Sequence, residues 1–436
     1  MGRRLFMTTC GSLGDLHPYL AVAIGLRQRG HEVTVATSEM YRSKIEAEGL
    51  AFHPVRPDLG PLYKNTDAMR CVLDVTTGTE YLVRQLLLPH LEESYEDLLQ
   101  ACSGKDLLVG HPLAYALPVV AEKLRLPWVS VALQPLIFFS LYDPPVLPVS
   151  TKPYRIRRLR CWEYQMLFGF MRRQTRPWME PVDELRRRLG LAPAAAHPMF
   201  DGIFSPYGSL AWFSRLLASP QPDWPARTRI TGFPFYDRQR PGSGLNSSLS
   251  EFLRKGEPPI VFTLGASTVL HAGDFFEQSL WAAHKLRSRA VLLVGPQARR
   301  KKWKSLPTTM FVADYAPYSE LLPRAAATVH HGGVGTTAQA LRAGRPTLIV
   351  PHSHDQPDNA ERVARLGVAR VLYKKLYTAE RAMAELTHLL SDNSYSARAA
   401  DVGRIIRTEN GVAAACDALE ELVAAHCGLS PVSEKV

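Results

Sequence analysis

The chain has 436 residues, 46% of them apolar, which is more than one ordinary core holds and suits two domains of roughly 200 residues each. A formal net charge of +11 admits anionic ligands or surfaces. The basic residues are scattered, however, and no zinc-finger, RNA-recognition or basic-zipper pattern argues for nucleic acid. The six cysteines include no Cys-x-x-Cys pair, so neither a disulfide framework nor structural zinc is expected, and a reducing compartment is.

From the N-terminus, Leu5–Thr9 reads as a strand, Pro18–Arg29 as an amphipathic helix ended by Gly30, Glu32–Thr37 as a strand and Tyr41–Glu48 as a helix. The apolar run after Arg3 and Arg4 is too short and too interrupted for a signal peptide, which predicts a cytoplasmic protein. Asp106–Gly110 and Trp128–Leu133 are further strands around a helix over Ala114–Leu124. The longest uncharged stretch, Leu126–Tyr142, falls short of the roughly 20 residues of a membrane helix. Residues Arg155–Leu189 are helical in pattern and rich in arginine and aromatics. They predict either a surface helix pair or a lip over an apolar acceptor, with room for peripheral membrane contact. A Pro-, Gly- and Ser-rich segment, 238–259, reads as an interdomain linker, with a short helix over Ser250–Lys255. Strands then return at Ile260–Leu264, Ala290–Val294, Met310–Ala313, Ala327–His330 and Thr347–Val350, with helices between, the first at Phe275–Leu286. Regular alternation of strand and helix predicts an α/β chain of two doubly wound, Rossmann-like domains facing a cleft. Their bounds are 1–237 and 260–428, followed by a tail over 429–436. The last helix is a candidate to pack back on the first domain.

Two motifs carry chemistry. The run from His330 to Thr337, His-His-Gly-Gly-Val-Gly-Thr-Thr, follows a strand and opens a helix. Gly333 and Gly335 let backbone N–H groups approach an anion. The helix N-terminus adds its dipole, and His331, Thr336 and Thr337 can donate to phosphate oxygens. On the next strand end, Asp355 and Gln356 can accept from and donate to vicinal hydroxyls, as a sugar requires. The second motif is Gly11-Ser12-Leu13-Gly14-Asp15-Leu16-His17-Pro18. It lacks the full Gly-x-Gly-x-x-Gly, and the second strand ends at Thr37-Ser38 without an acid for a ribose, which disfavours a nicotinamide oxidoreductase. A carboxylate or imidazole on such a loop can instead take a proton from an attacking hydroxyl. Asp15 as a plain helix cap is the bland alternative.

The segment from His330 to Asn359 resembles the donor-binding signature of family 1 glycosyltransferases with the GT-B fold. Sterol glucosyltransferases, glycopeptide-antibiotic glycosyltransferases and the rhamnolipid rhamnosyltransferase are the most similar members. Thr231-Gly232-Phe233-Pro234 and Tyr315-Ala316-Pro317 resemble the same group. The resemblance implies a nucleotide-diphosphate-sugar donor held by Ser267, His331, Thr336 and Thr337 at its phosphates. It places Asp355 and Gln356 at the sugar and Tyr315 and Ala316 at the base. Plant members carry Trp at Tyr315, Gln at Tyr318 and a ribose-binding Glu at Gln339. The resemblance implies Asp15 as catalytic base, with His17 second. His111 falls where plant enzymes place the Asp that orients a catalytic His, so a swapped Asp15–His111 pair is one reading.

These features predict an inverting, metal-independent hexosyltransferase acting on a small lipophilic acceptor, with no cofactor and no Asp-x-Asp metal motif. Phe138, Phe139 and Trp162 are the expected acceptor contacts. UDP-glucose is the expected donor, and a dTDP-rhamnose-type donor with a lipid hydroxy acid acceptor is the alternative. A GT-B nucleotide-sugar epimerase and a non-catalytic glycosyltransferase-like protein are the other readings.

Overall fold

A computed structural model of the chain describes residues 2–147, 159–237, 244–295 and 306–426, apart from the side chains of Ser267 and Leu270. The front domain is built on strands β1 (Arg4–Thr8), β2 (Glu32–Thr37), β3 (Ala51–Pro54), β4 (Leu107–Gly110), β5 (Trp128–Ala132), β6 (Ser209–Ala211) and β7 (Thr228–Ile230). The back domain holds β8 (Ile260–Thr263), β9 (Ala290–Leu293), β10 (Met310–Ala313), β11 (Ala327–His330), β12 (Thr347–Ile349) and β13 (Ala369–Val371). Every pairing is parallel, in the orders β3-β2-β1-β4-β5-β6-β7 and β10-β9-β8-β11-β12-β13. The strands are short continuous apolar runs, buried along their length in β4, β5, β8 and β9. Parallel strands covered by helices on both faces have that composition. In both sheets the strand order reverses beside the first strand, between β1 and β4 and between β8 and β11. Crevices at the carboxyl ends of strands open at such reversals.

The first helix runs Leu13–Gln28, five residues earlier than the proline at 18 suggests. Ser12 caps it, its Oγ accepting from Gly14 N at 3.1 Å, while Asp15 at N3 accepts from Ser12 N at 2.7 Å. That reciprocal cap satisfies two orphan donors and outweighs the hydrogen bond that Pro18 lacks.

The segment expected as a linker is shorter than 238–259. Ser247–Arg254 is a helix capped by Asn246, and Leu249 is buried in a back-domain cluster with Val261, Val291 and Leu321. The expected long helical stretch is two helices, Cys161–Thr175 and Glu180–Arg188.

The domains share an apolar cluster that joins Ala132, Phe138, Phe213 and Trp224 to Leu341, Ala360, Val363 and Ile406. Polar contacts reinforce it. Arg362, fully buried, donates to Asp358 at 2.7 Å and to Asp143 of the front domain, which also pairs with Arg365 at 2.9 Å. Val146 N donates to Asp358 at 3.0 Å. The last helix, Gly411–His426, lies against the first, with Cys416, Leu419 and Val423 in one cluster with Leu20 and Ala23.

Candidate active site

On the front side the strand-order reversal places the turn after β1 beside the end of β4. His111 N donates to Thr8 O at 3.1 Å, which fixes the imidazole at that junction. Leu113 N donates to His111 Nδ1 at 3.2 Å, so that nitrogen is an acceptor and Nε2 carries the proton. Nε2 faces Asp15 Oδ1 at 3.6 Å, just beyond hydrogen-bond reach. The other Asp15 oxygen is held by Ser12 N and by Ser12 Oγ at 3.0 Å. The carboxylate is thus both helix cap and the centre of a positioned cluster, and it keeps about a quarter of its surface (27%) open. Gly11, at φ +132°, leaves room for it: a Cβ there would stand 2.3 Å from Asp15 Oδ2. His17 points elsewhere. Its ring stacks on Tyr236 at 4.9 Å and Nε2 is sealed without a partner. Burial, followed by the nearby Lys44 charge, pushes it down to about 3. A ring so packed is part of the wall, which corrects the expectation of His17 as the second base.

On the back side the reversal brings β8 and β11 together in the same way. The helix Val334–Ala343 starts at Gly333, and no side-chain cap among the described residues meets its first N–H groups. His331 is buried beside it, with Nδ1 lacking a partner. Two glycines make space for its ring: a Cβ on Gly333 would lie 2.5 Å from His331 Nε2, and one on Gly265 2.6 Å from Cε1. Burial, then His330 and His352, hold the His331 imidazole well below its ordinary value, so it is a neutral donor. Thr337 Oγ is likewise buried and unpartnered, while Thr336 reaches the Tyr318 hydroxyl, which also bonds Thr263 at 2.8 Å. An uncapped helix end, a buried imidazole and an unpaired hydroxyl form a ready anion cradle. The side chain of Ser267 lies outside the described residues. Tyr315 stands 69% exposed at the end of β10 beside buried Ala316.

Asp355 caps the next helix, Gln356–Arg365. Its Oδ2 accepts from Asn359 at 2.6 Å, and Asn359 also donates to Gly332 O at 3.0 Å. Gln356 Oε1 accepts from the backbone of His352 (2.8 Å) and Ser353 (3.1 Å), which leaves only its amide nitrogen for a ligand. Protein atoms crowd the Asp355 carboxyl even though the residue opens partly to the cleft. Burial first, then the Asp15 charge, push it up to about 7. That Asp15 is felt there, and by His354, shows how closely the two rims oppose each other. The glycine turns themselves nearly touch: a Cβ on Gly335 would lie 3.6 Å from Gly14 Cα.

The expected acceptor contacts are corrected by packing. Phe138 is buried between Phe204 (5.4 Å) and Trp224 (4.1 Å) in the shared core. Phe139, at φ +44°, turns against Phe168 and Phe200. Trp162 stands on an outer helix face. A small, mainly apolar hollow of about 40 Å³ lies instead at the ends of β1, β2 and β4. Cys10, Leu59, Leu87, Leu91, Leu113 and Tyr115 line it. One wall comes from 59–98, a helical stretch with a π-turn at Leu82–Leu87. The sequence offered no signal for it beyond a concentration of leucines.

Residues 5–135 match the Glycosyltransferase family 28 N-terminal domain, and 282–418 the Erythromycin biosynthesis protein CIII-like C-terminal domain. The chain is 31% identical to O-mycaminosyltylonolide 6-deoxyallosyltransferase of Streptomyces fradiae over 428 residues, 96% of this chain and 97% of that one. It is 28% identical to sterol 3-beta-glucosyltransferase of Cryptococcus neoformans, covering 94% of this chain but only 26% of that longer protein. Among solved structures, glycosyltransferase VinC in complex with DTDP superposes with a TM-score of 0.67 at 22% identity, over 97% of this chain and 98% of that one.

Proposed function

Since this chain belongs to the family of GT-B glycosyltransferases that takes in the Streptomyces fradiae 6-deoxyallosyltransferase and the sterol glucosyltransferases, we propose that it transfers a hexose with inversion from a nucleoside-diphosphate sugar to a hydroxyl of a small lipophilic acceptor. The observation that carries this reading is the opposition of a positioned carboxylate, Asp15, to an anion cradle across a gap where Gly14 and Gly335 approach each other.

In the proposed reaction the donor diphosphate lies on the N-terminus of helix Val334–Ala343, with His331, Thr336 and Thr337 donating to it. Asp355 and Gln356 hold the sugar, and Tyr315 with Ala316 flanks the base. The acceptor lies in the cleft beside Asp15, on the side of the small hollow next to Cys10. Its oxygen attacks the anomeric carbon as the carbon–oxygen bond to the diphosphate breaks. Asp15 takes the hydroxyl proton, and His111 Nε2–H keeps Asp15 Oδ1 aimed at the cleft. Charge gathering on the leaving diphosphate meets donors that are already oriented, which lowers the barrier without reorganisation. UDP-glucose is the first donor in this reading. A dTDP-6-deoxyhexose is the second, favoured by the deoxysugar in the name of the 31% identical relative.

Thermal shift with UDP, dTDP, UDP-glucose and dTDP-rhamnose separates the donors, because a ligand bound only to the folded state raises Tm with affinity. Asp15→Asn is expected to keep the donor-induced shift and to lose at least about a hundredfold in turnover against a panel of sterols, macrolide aglycones and hydroxy fatty acids. Unchanged turnover in that variant would remove Asp15 from the chemistry.

A further inference from the structure

Among the described residues, helix Cys161–Thr175 is anchored from one side only. Tyr164 and Phe168 are buried beneath it, and Phe168 meets Phe139 edge-on at 5.5 Å. Its outer face carries Trp162, Met166 and Phe170, respectively 55%, 67% and 59% exposed. Spacing of four residues sets these side chains in one row. Tyr142 is exposed nearby, next to Leu141, whose carbonyl accepts from Cys161 Sγ at 3.6 Å. Four of the nine large apolar side chains exposed among the described residues therefore gather at this corner. Arg160 and Arg173, both exposed, bracket the row; Gln165, Gly169 and Gln174 share the outer face, and the half-buried carboxylate beside it, Glu163, accepts from Arg160 N.

We propose that this face docks on an anionic lipid surface, with Trp162, Met166 and Phe170 entering the headgroup boundary and Arg160 and Arg173 meeting lipid phosphates. An apolar row with cationic ends is the composition of an interfacial helix, and Trp suits that depth because its ring is apolar at one end and polar at the other. The chain's charge of +11 adds a long-range attraction. A second copy fits worse: two such helices packed antiparallel set Arg160 against Arg173, like charge against like. The inference does not rest on the transfer reaction and can fail without it.

Flotation with phosphatidylcholine vesicles, with and without about one-third phosphatidylglycerol, tests it. The wild-type chain is expected to float at least about tenfold more with the anionic vesicles, and to be released between about 50 mM and 500 mM salt. Trp162→Glu combined with Phe170→Glu is expected to abolish flotation at unchanged Tm. Met166→Glu, at the middle of the row, is the second variant should the double one lose stability. Three outcomes would overturn the proposal: a wild-type chain that stays in solution with both vesicles, variants that float like wild type, or a wild-type dimer in sedimentation that Met166→Glu splits.

Discussion

Asp355 is a carboxyl crowded by protein atoms and placed within reach of another carboxylate, and its affinity for a proton rises accordingly, up to about 7. In the unfolded chain the same group titrates near the ordinary Asp value of about 4. Between those values the folded state holds a proton that the unfolded state releases, so the stability this group contributes is lost as pH rises through 7. Asp355→Asn is therefore expected to gain Tm relative to wild type as pH goes from 5 to 8, by about 3 °C or more at pH 8. A Tm difference that does not change with pH would refute the raised affinity. Individual residues were unevenly legible in the sequence. The cradle announced itself because glycine, histidine and threonine in one run have few structural uses together. Asp15 was legible by type and place, but its second task as a helix cap was visible only as a competing reading; the fold gives it both, one oxygen to Ser12 and one toward His111. Phe138 shows the opposite case. Aromatic content marks burial somewhere and says nothing of which surface covers it, so a core ring was read as an acceptor contact.

At the scale of elements, helix Gln356–Arg365 carries Asp355 and Gln356 at its start and the buried Asp358–Arg362 pair in its middle. Asp143 and Val146 reach that pair from the front domain, so the loop after β5 is tied to the helix that presents the side chains proposed to hold the sugar. Removing one member of such a group leaves a buried charge uncompensated, at a cost of about 3–5 kcal/mol. Arg362→Met is expected to lose about that much in urea unfolding, whereas Asp358→Asn with Arg362→Met together should recover part of it. Equal losses in the single and double variants would show that the charges are not coupled. Strands flanked by clear helical patterns were readable to within a residue or two, as Glu32–Thr37, Met310–Ala313 and Ala327–His330 illustrate. The short strands β3, β6, β7 and β13 were not, whereas β12, no longer than they are, was, because its apolar run continues through Val350. The start of the first helix was misplaced because proline is the stronger local cue, while the Ser12 cap works through side-chain geometry.

Taken whole, the molecule is two copies of one winding scheme with their reversals turned toward each other, and that scheme was legible from strand–helix alternation alone. The shared apolar cluster was not, since no local pattern tells a helix which neighbour will cover it. The placement of helix Gly411–His426 against Leu13–Gln28 has a consequence for how the chain is made. Gly25 is closed in by Val412 and Cys416, whose side chains would lie 2.8 and 3.0 Å from a Cβ there. A fragment ending at 237 would leave that surface bare, and is expected to aggregate unless 411–426 is grafted on, with soluble yield as the measure. On the ribosome, where domains ordinarily close in order of emergence, the half synthesised first must wait until 411–426 has emerged before its outer layer is complete.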